Sequence, residues 1–159
     1  MDIRNAESSE LDCLTQIWHD GWQDAHAQIL PAGLARFRTL PSFRERMQIA
    51  LPNVRTAGPL NAPVGFHLVK GDELDQLYVS AASRGSGIAS ALIADAEARL
   101  RASGVTVAWL ACAIGNQRAA RFYERSGWRC AGPVMNELAT PEGPFWLKVW
   151  RYEKDLSPP

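Results

Sequence analysis

Residues 83–90, Ser-Arg-Gly-Ser-Gly-Ile-Ala-Ser, place two glycines and three serines between the apolar stretch Leu77-Tyr78-Val79 and a strongly helical run. A strand leading through Arg84-Gly85-Ser86-Gly87 into a helix presents unpaired backbone N–H groups and the positive end of the helix dipole to whatever lies in front of it. Phosphate is the natural guest of such a turn. Glycine lets its oxygens reach the amides and supplies positive φ, while Arg84 adds a charge-assisted contact and Ser86 a hydroxyl donor. The same letters also suit an ordinary surface turn that uses glycine for geometry alone. A dinucleotide fingerprint fits poorly, because Val105 to Ala113 holds no acid for a ribose and Ser90 stands where a third glycine or alanine belongs. A Walker-type loop fails outright, since no Gly-Lys-Ser/Thr follows the glycines.

Other reactive groups flank this turn. If Glu73-Leu-Asp-Gln-Leu-Tyr-Val79 is a strand, alternation puts Glu73 and Asp75 on one face with Leu77 and Val79, offering two carboxylates as proton acceptors. The three histidines, His19, His26 and His67, show no metal-ligand spacing with an acid or cysteine, so no metal is expected, and His67 reads as structural. Cys13, Cys112 and Cys130 form no C-x-x-C pair and none sits beside a base, which points to a reducing compartment and against a cysteine nucleophile.

The elements that must position these groups follow from periodicity. A capping box at Ser9 to Asp12 opens a first helix to Gly21, a segment Gly21 to Pro31 follows, and a helix from Pro41 to Leu51 carries Arg44 and Arg46 on a solvated face. Short β-branched runs between Asn53 and Gly71 predict a hairpin. Ile88, Leu92, Ala96 and Leu100 predict an amphipathic helix ending at Gly104. A buried strand Val105 to Ile114 comes next, then a helix presenting Ala119, Phe122 and Tyr123 and capped at Gly127. The tail from Pro144 to Leu156 predicts a last strand, with Trp146, Trp150 and Tyr152 on one face and Phe145, Leu147 and Val149 on the other, enough apolar surface for a homodimer contact. The remaining tryptophans Trp109 and Trp128 read as core. The fold class is α/β, a mixed sheet with crossover helices.

The chain is 159 residues long and 47% hydrophobic, which predicts one domain spanning residues 1–159 with a full core. Seventeen basic residues balance seventeen acidic ones, so nucleic acid and anionic membranes are not expected partners and any anion site must be local. The acidic first twelve residues make a poor secretory signal, and a cytoplasmic location is expected.

Two motifs in order then carry a family resemblance. Arg84-x-x-Gly87-x-Ala89, within Glu73 to Ile93, resembles the signature of the GNAT acetyltransferase superfamily, and Asn116-Gln-Arg-Ala-Ala-Arg-Phe-Tyr-Glu-Arg-Ser-Gly-Trp128 is similar to that family's second motif. Ser86 stands where a larger polar or basic residue is frequent, and Trp128 replaces the usual Phe. The resemblance implies a mostly antiparallel sheet with a splayed strand pair holding acetyl-CoA as cosubstrate. The backbone of Leu77, Tyr78 and Val79 would bond the acetyl and pantetheine groups, and amides of Arg84, Gly85, Ser86, Gly87, Ile88 and Ala89 the pyrophosphate. Asn116, also readable as an N-cap, would touch pantetheine, with Ala119 and Phe122 beside it. Tyr123 matches the family's tyrosine near the sulfur and would be the general acid; packing beside Phe122 is its plainer role. Glu73, Asp75 or His26 would be the base, and Trp22 with His26 would form the pocket of a primary amine, a small molecule or an amino-acid-like amine. The expected activity is direct N-acetyl transfer, an acyltransferase reaction without an acyl-enzyme. The alternative is a non-catalytic acyl-CoA-binding module of the same fold.

Overall fold

The structure, a computed structural model, describes residues 2–158. Within them, five helices flank one mixed, open sheet of seven strands in the order β1-β2-β3-β4-β5-β7-β6. The strands are β1 (Ile3–Asn5), β2 (Val54–Ala57), β3 (Gly65–Lys70), β4 (Glu73–Val79), β5 (Val107–Ala113), β6 (Arg129–Thr140) and β7 (Gly143–Asp155). The helices are α1 (Leu11–His26), α2 (Ala32–Ala35), α3 (Leu40–Ala50), α4 (Ile88–Ala102) and α5 (Gln117–Arg125).

All neighbouring strands run antiparallel except β4 and β5, whose ladder holds the single pair Glu73 with Trp109. Trp109 secures that point, donating its N–H to Asp72 O at 3.1 Å and its Nε1–H to Asp72 Oδ1 at 2.9 Å. Beyond it the two strands separate toward their C-terminal ends.

The two faces of the sheet carry separate cores. Leu14, Trp18, Phe43 and Met47 of α1 and α3 pack on Phe66 and Leu68 of β3. On the other face, Ile93, Ala96 and Leu100 of α4 meet Leu74, Leu110, Trp128 and Tyr152. Glu97 fixes that side by accepting from Trp128 Nε1–H at 3.2 Å while Lys154 Nζ lies 2.7 Å away.

Gly21 sits in the interior of α1 for a steric reason: a Cβ there would stand 2.4 Å from Tyr78 Cδ1. On helix propensity alone, Gly21→Ala would gain about 0.5–1 kcal/mol, but overpacking costs about 1–3 kcal/mol. The net expectation is a loss of about 1 kcal/mol and a Tm lowered by roughly 3 °C. A scanning calorimetry trace showing a raised Tm would mean that the Tyr78 ring yields freely.

Several sequence expectations change. α1 continues past Gly21 to His26, and its entry is set upstream, where Glu7 N–H donates to Glu10 Oε1 at 2.9 Å. Ser9 does not cap the helix because its hydroxyl is bonded to Asn61 Oδ1 at 2.5 Å. Strands β1 and β6 were not foreseen; β6 contains Gly132 and Pro133, tolerable because it is an edge strand with a register shift between Cys130 and Gly132. Arg44 is solvated and pairs with Asp12 at 2.9 Å, but Arg46 turns inward, its guanidinium over the Trp18 ring at 4.4 Å. The apolar face expected for β7 is smaller, since Tyr152 is buried and Trp150 packs on the same core, leaving Trp146 exposed near Met135.

Candidate active site

The register of β4 decides where its carboxylates point. Leu68 pairs with Gln76 and Val69 with Leu74, so Asp75 is an extra residue and the alternation breaks there. Leu74, Leu77 and Val79 therefore all reach toward α4, whereas Glu73 lies on the opposite face beside its pair partner Trp109. The expected common face for Glu73, Asp75, Leu77 and Val79 is corrected by this bulge.

The gap between β4 and β5 opens on both sides of the sheet. On the α4 and α5 side, a cavity of about 320 Å³ is bounded by Leu77 and Val79, by the turn Ser83 to Ser90, and by Asn116, Ala119 and Phe122 of the α5 region. On the α1 and α3 side, a cavity of about 170 Å³ is bounded by Trp22, His26, Glu73 and Asp75 among others. Leu77, Tyr78, Asn116, Ala119 and Tyr123 border both, so the two cavities meet through the gap with Tyr123 at the junction.

The first cavity is lined by donors and by no acid. Gly85 and Gly87 have φ of 77° and 84°, and a Cβ at either would meet nothing within 4 Å, so the left-handed backbone is the reason for glycine here. That path leaves the N–H groups of residues 85–90 without a backbone acceptor among the described residues; the first helical bond is Ala91 N–H to Gly87 O at 3.1 Å. Arg84, Arg118 and Arg125 border the same space, and no acid does. Arg84 is also held by Asp24 at 2.9 Å. Ser86 departs from expectation: its hydroxyl donates back to Ser83 O and does not face the cavity. Sequence reasoning missed Arg118 and Arg125, although their seven-residue spacing on α5 puts them on one face.

The β4 backbone contributes selectively. Ser80 N–H donates to Val64 O at 2.8 Å, and alternation along this antiparallel ladder directs the Tyr78 N–H and C=O to β3 as well. Leu77 and Val79 thus turn their N–H groups into the gap, while Tyr78 offers only its ring. Asn116 caps α5, its Oδ1 accepting from Ala119 N–H at 3.3 Å, as its N-cap reading anticipates.

Burial tunes the titrating groups. Glu73 is pushed up to about 7 by desolvation, with the Asp75 and Asp72 charges adding to it and Lys70 and Arg151 opposing. His26, its ring 5.6 Å from that of Trp22, is driven down to about 4 by burial. The Tyr123 phenol rises well above its ordinary value through burial, with Cys112 and Tyr78 nearby. Cys112, a thiol in the wall of the smaller cavity, is pushed up to about 11, again mainly by burial. Among the described residues, no cluster of three or more His, Cys, Asp or Glu could hold a metal ion, and no helix is long and apolar enough to cross a membrane.

The open mixed sheet is thus split between its two parallel strands and faced by a glycine turn of free amides. The family model for the acetyltransferase (GNAT) family matches residues 9–128, and the chain belongs to that family. No curated protein sequence matches it. Among solved structures it is similar to a GCN5-related N-acetyltransferase from Rhodopseudomonas palustris, with TM-score 0.74 at 20% identity over 97% of this chain and 94% of that one. An N-acetyltransferase from Staphylococcus aureus Mu50 gives TM-score 0.71 at 20% identity, covering 98% of each chain. The PaiA N-acetyltransferase of Thermoplasma acidophilum, solved in complex with coenzyme A, gives 0.64 at 17% identity over 97% of this chain and 98% of that one. At these identities the likeness establishes the fold.

Proposed function

We propose that the protein transfers acetyl from acetyl-CoA directly to the amine of a small molecule. The observation that carries this reading is the junction at Tyr123, where a cavity ringed by free amides meets one lined by carboxylates. Residues 84–90 bind the pyrophosphate through their N–H groups, with Asn116, Ala119 and Phe122 along the pantetheine arm. The acceptor enters from the α1 and α3 side, past the packed rings of Trp22 and His26. Glu73 takes its ammonium proton, directly or through water, because a carboxyl poised near neutrality is both deprotonated and basic enough. His26, held near 4, is too weak a base for that step, and Asp75 acts by raising Glu73.

The amine then attacks the acetyl carbonyl carbon, and the oxyanion is met by the Leu77 N–H, the gap-facing β4 amide whose residue borders both cavities. Collapse breaks the C–S bond; Tyr123 delivers its proton to the sulfur, and the attacking nitrogen returns its surplus proton to the phenolate through water. A phenol above 10 would not ordinarily protonate a thiolate, but desolvation of the kind that raises the Cys112 thiol in the adjoining wall also raises the proton affinity of a sulfur bound beside it. The acceptor proton on Glu73 leaves to solvent.

Calorimetric titration with acetyl-CoA, beside CoA and NAD, tests the first half of this reading, with micromolar acetyl-CoA binding and none of NAD expected. Thiol release with an amine panel then tests the second. Since Glu73 must be deprotonated to act, kcat/KM should rise with pH through an apparent pKa near 7, and Glu73→Gln should remove that limb and lower turnover about 10²-fold. Tight acetyl-CoA binding without amine-dependent thiol release would return the protein to the non-catalytic binding module.

A further inference from the structure

The smaller cavity is charged at both ends. Glu73 and Asp75 stand on its β4 wall, and Arg38 and Arg46 border it from the α3 side. Among the described residues the other arginines without a carboxylate, Arg99, Arg118, Arg121 and Arg125, are exposed to water, while Arg36 has Glu142, Arg44 has Asp12, Arg84 has Asp24 and Arg129 has Glu153. Arg38, only 6% exposed, and Arg46 have none within ion-pair distance among the described residues. Arg38 Nη1 reaches no more than Ala139 O at 3.5 Å. Arg46 Nη1 has no partner, and its guanidinium is supported only by the rings of Trp18 at 4.4 Å and Phe43 at 5.3 Å. Burial, with Arg38 as a like-charged neighbour, draws Arg46 down to about 10, against the opposing charge of Asp75, which lies beyond ion-pair distance.

Buried charges and donors without partners are costly and rare in folded proteins. Here they concentrate in one place. Of four solvent-hidden side-chain polar atoms without a partner, Trp18 Nε1, His26 Nδ1 and Arg46 Nη1 belong to residues lining this cavity. Trp18 Nε1–H and Arg46 Nη1 can only donate, so both call for an acceptor that the protein does not supply.

We propose that the acceptor amine also carries a carboxylate, bound by Arg38, Arg46 and the Trp18 Nε1–H, so that the substrate class is an amino carboxylate. The inference rests on the reading of this cavity as the acceptor site. The ammonium of such a zwitterion faces Glu73 and Asp75 while its anion lies at the arginine end. Trp22, Leu34, Leu138 and Leu147 give the wall apolar surface, and about 170 Å³ admits a single amino acid with a small or apolar side chain. Polyamines, having no anion, leave the arginines unsatisfied.

The test uses the protein saturated with CoA, titrated calorimetrically with the proteinogenic α-amino acids, each beside its methyl ester, with thiol release from acetyl-CoA recorded for the same compounds. At least one free acid should bind about tenfold or more tighter than its ester, a preference that Arg46→Met and Arg38→Met abolish. The comparison of acid with ester needs only the unaltered protein, so a variant that fails to fold does not blunt it. Equal binding of acids and esters, binding of neither, or a preference that survives both substitutions in folded protein would overturn the proposal. Preferred binding of an acid without thiol release would uphold the anion site and remove the transferase reading. Thiol release indifferent to the carboxylate would do the reverse.

Discussion

Protein carrying Gly87→Asp should bind acetyl-CoA about 10²-fold more weakly than the unaltered chain, corresponding to about 3 kcal/mol. The fold itself has room for the change, because nothing lies within 4 Å of a Cβ at this position. The loss arises in the cradle. A carboxylate at the N-cap of α4 would occupy the donors of the first turn and repel the pyrophosphate, and φ of 84° adds strain that an L side chain resists. Gly87→Ala separates the two causes, since it keeps the strain without the charge and should weaken binding less. Calorimetric affinity for acetyl-CoA unchanged in Gly87→Asp would remove the free amides of residues 85–90 from the binding site.

Tyr123→Phe should leave acetyl-CoA affinity nearly intact and lower turnover about 10²-fold or more. The ring packs against Phe122, Trp128 and Tyr152 at centroid distances of 5.4, 6.4 and 6.1 Å, so phenylalanine preserves the contacts that hold α5 on the sheet. Only the hydroxyl is lost, and burial keeps that hydroxyl protonated throughout the working pH range. A stopped assay of thiol release at saturating acetyl-CoA measures the effect directly. Turnover equal to that of the unaltered enzyme would leave Tyr123 as packing and shift sulfur protonation to water.

The sequence made the glycine-turn cavity legible because its requirements are local. Glycines at 85 and 87, a helix behind them and an asparagine opening the next helix are all readable along the chain. The acceptor half depends on contacts across the sheet. Arg46 follows Phe43 by three residues on α3, a spacing that puts it on the buried face, yet its charge suggested solvent. Arg38 precedes α3, and no periodicity announces its burial. The carboxylate face of β4 was misread because a bulge at Asp75 is set by pairing with β3, which alternation alone does not reveal. Pro133 and Gly132 hid β6 in the same way, since their tolerance follows from edge position in the finished sheet.

On the proposed reading, the break between β4 and β5 gives the two reactants separate doors, one on each face, with only Leu77, Tyr78, Asn116, Ala119 and Tyr123 in common. One half therefore works as a fixed tool and the other as an exchangeable grip. Residues of α1, α3 and β6 that line the acceptor side can vary through substitution without disturbing the cradle on α4. The same architecture can thus acquire a new clientele while the reagent it spends stays the same.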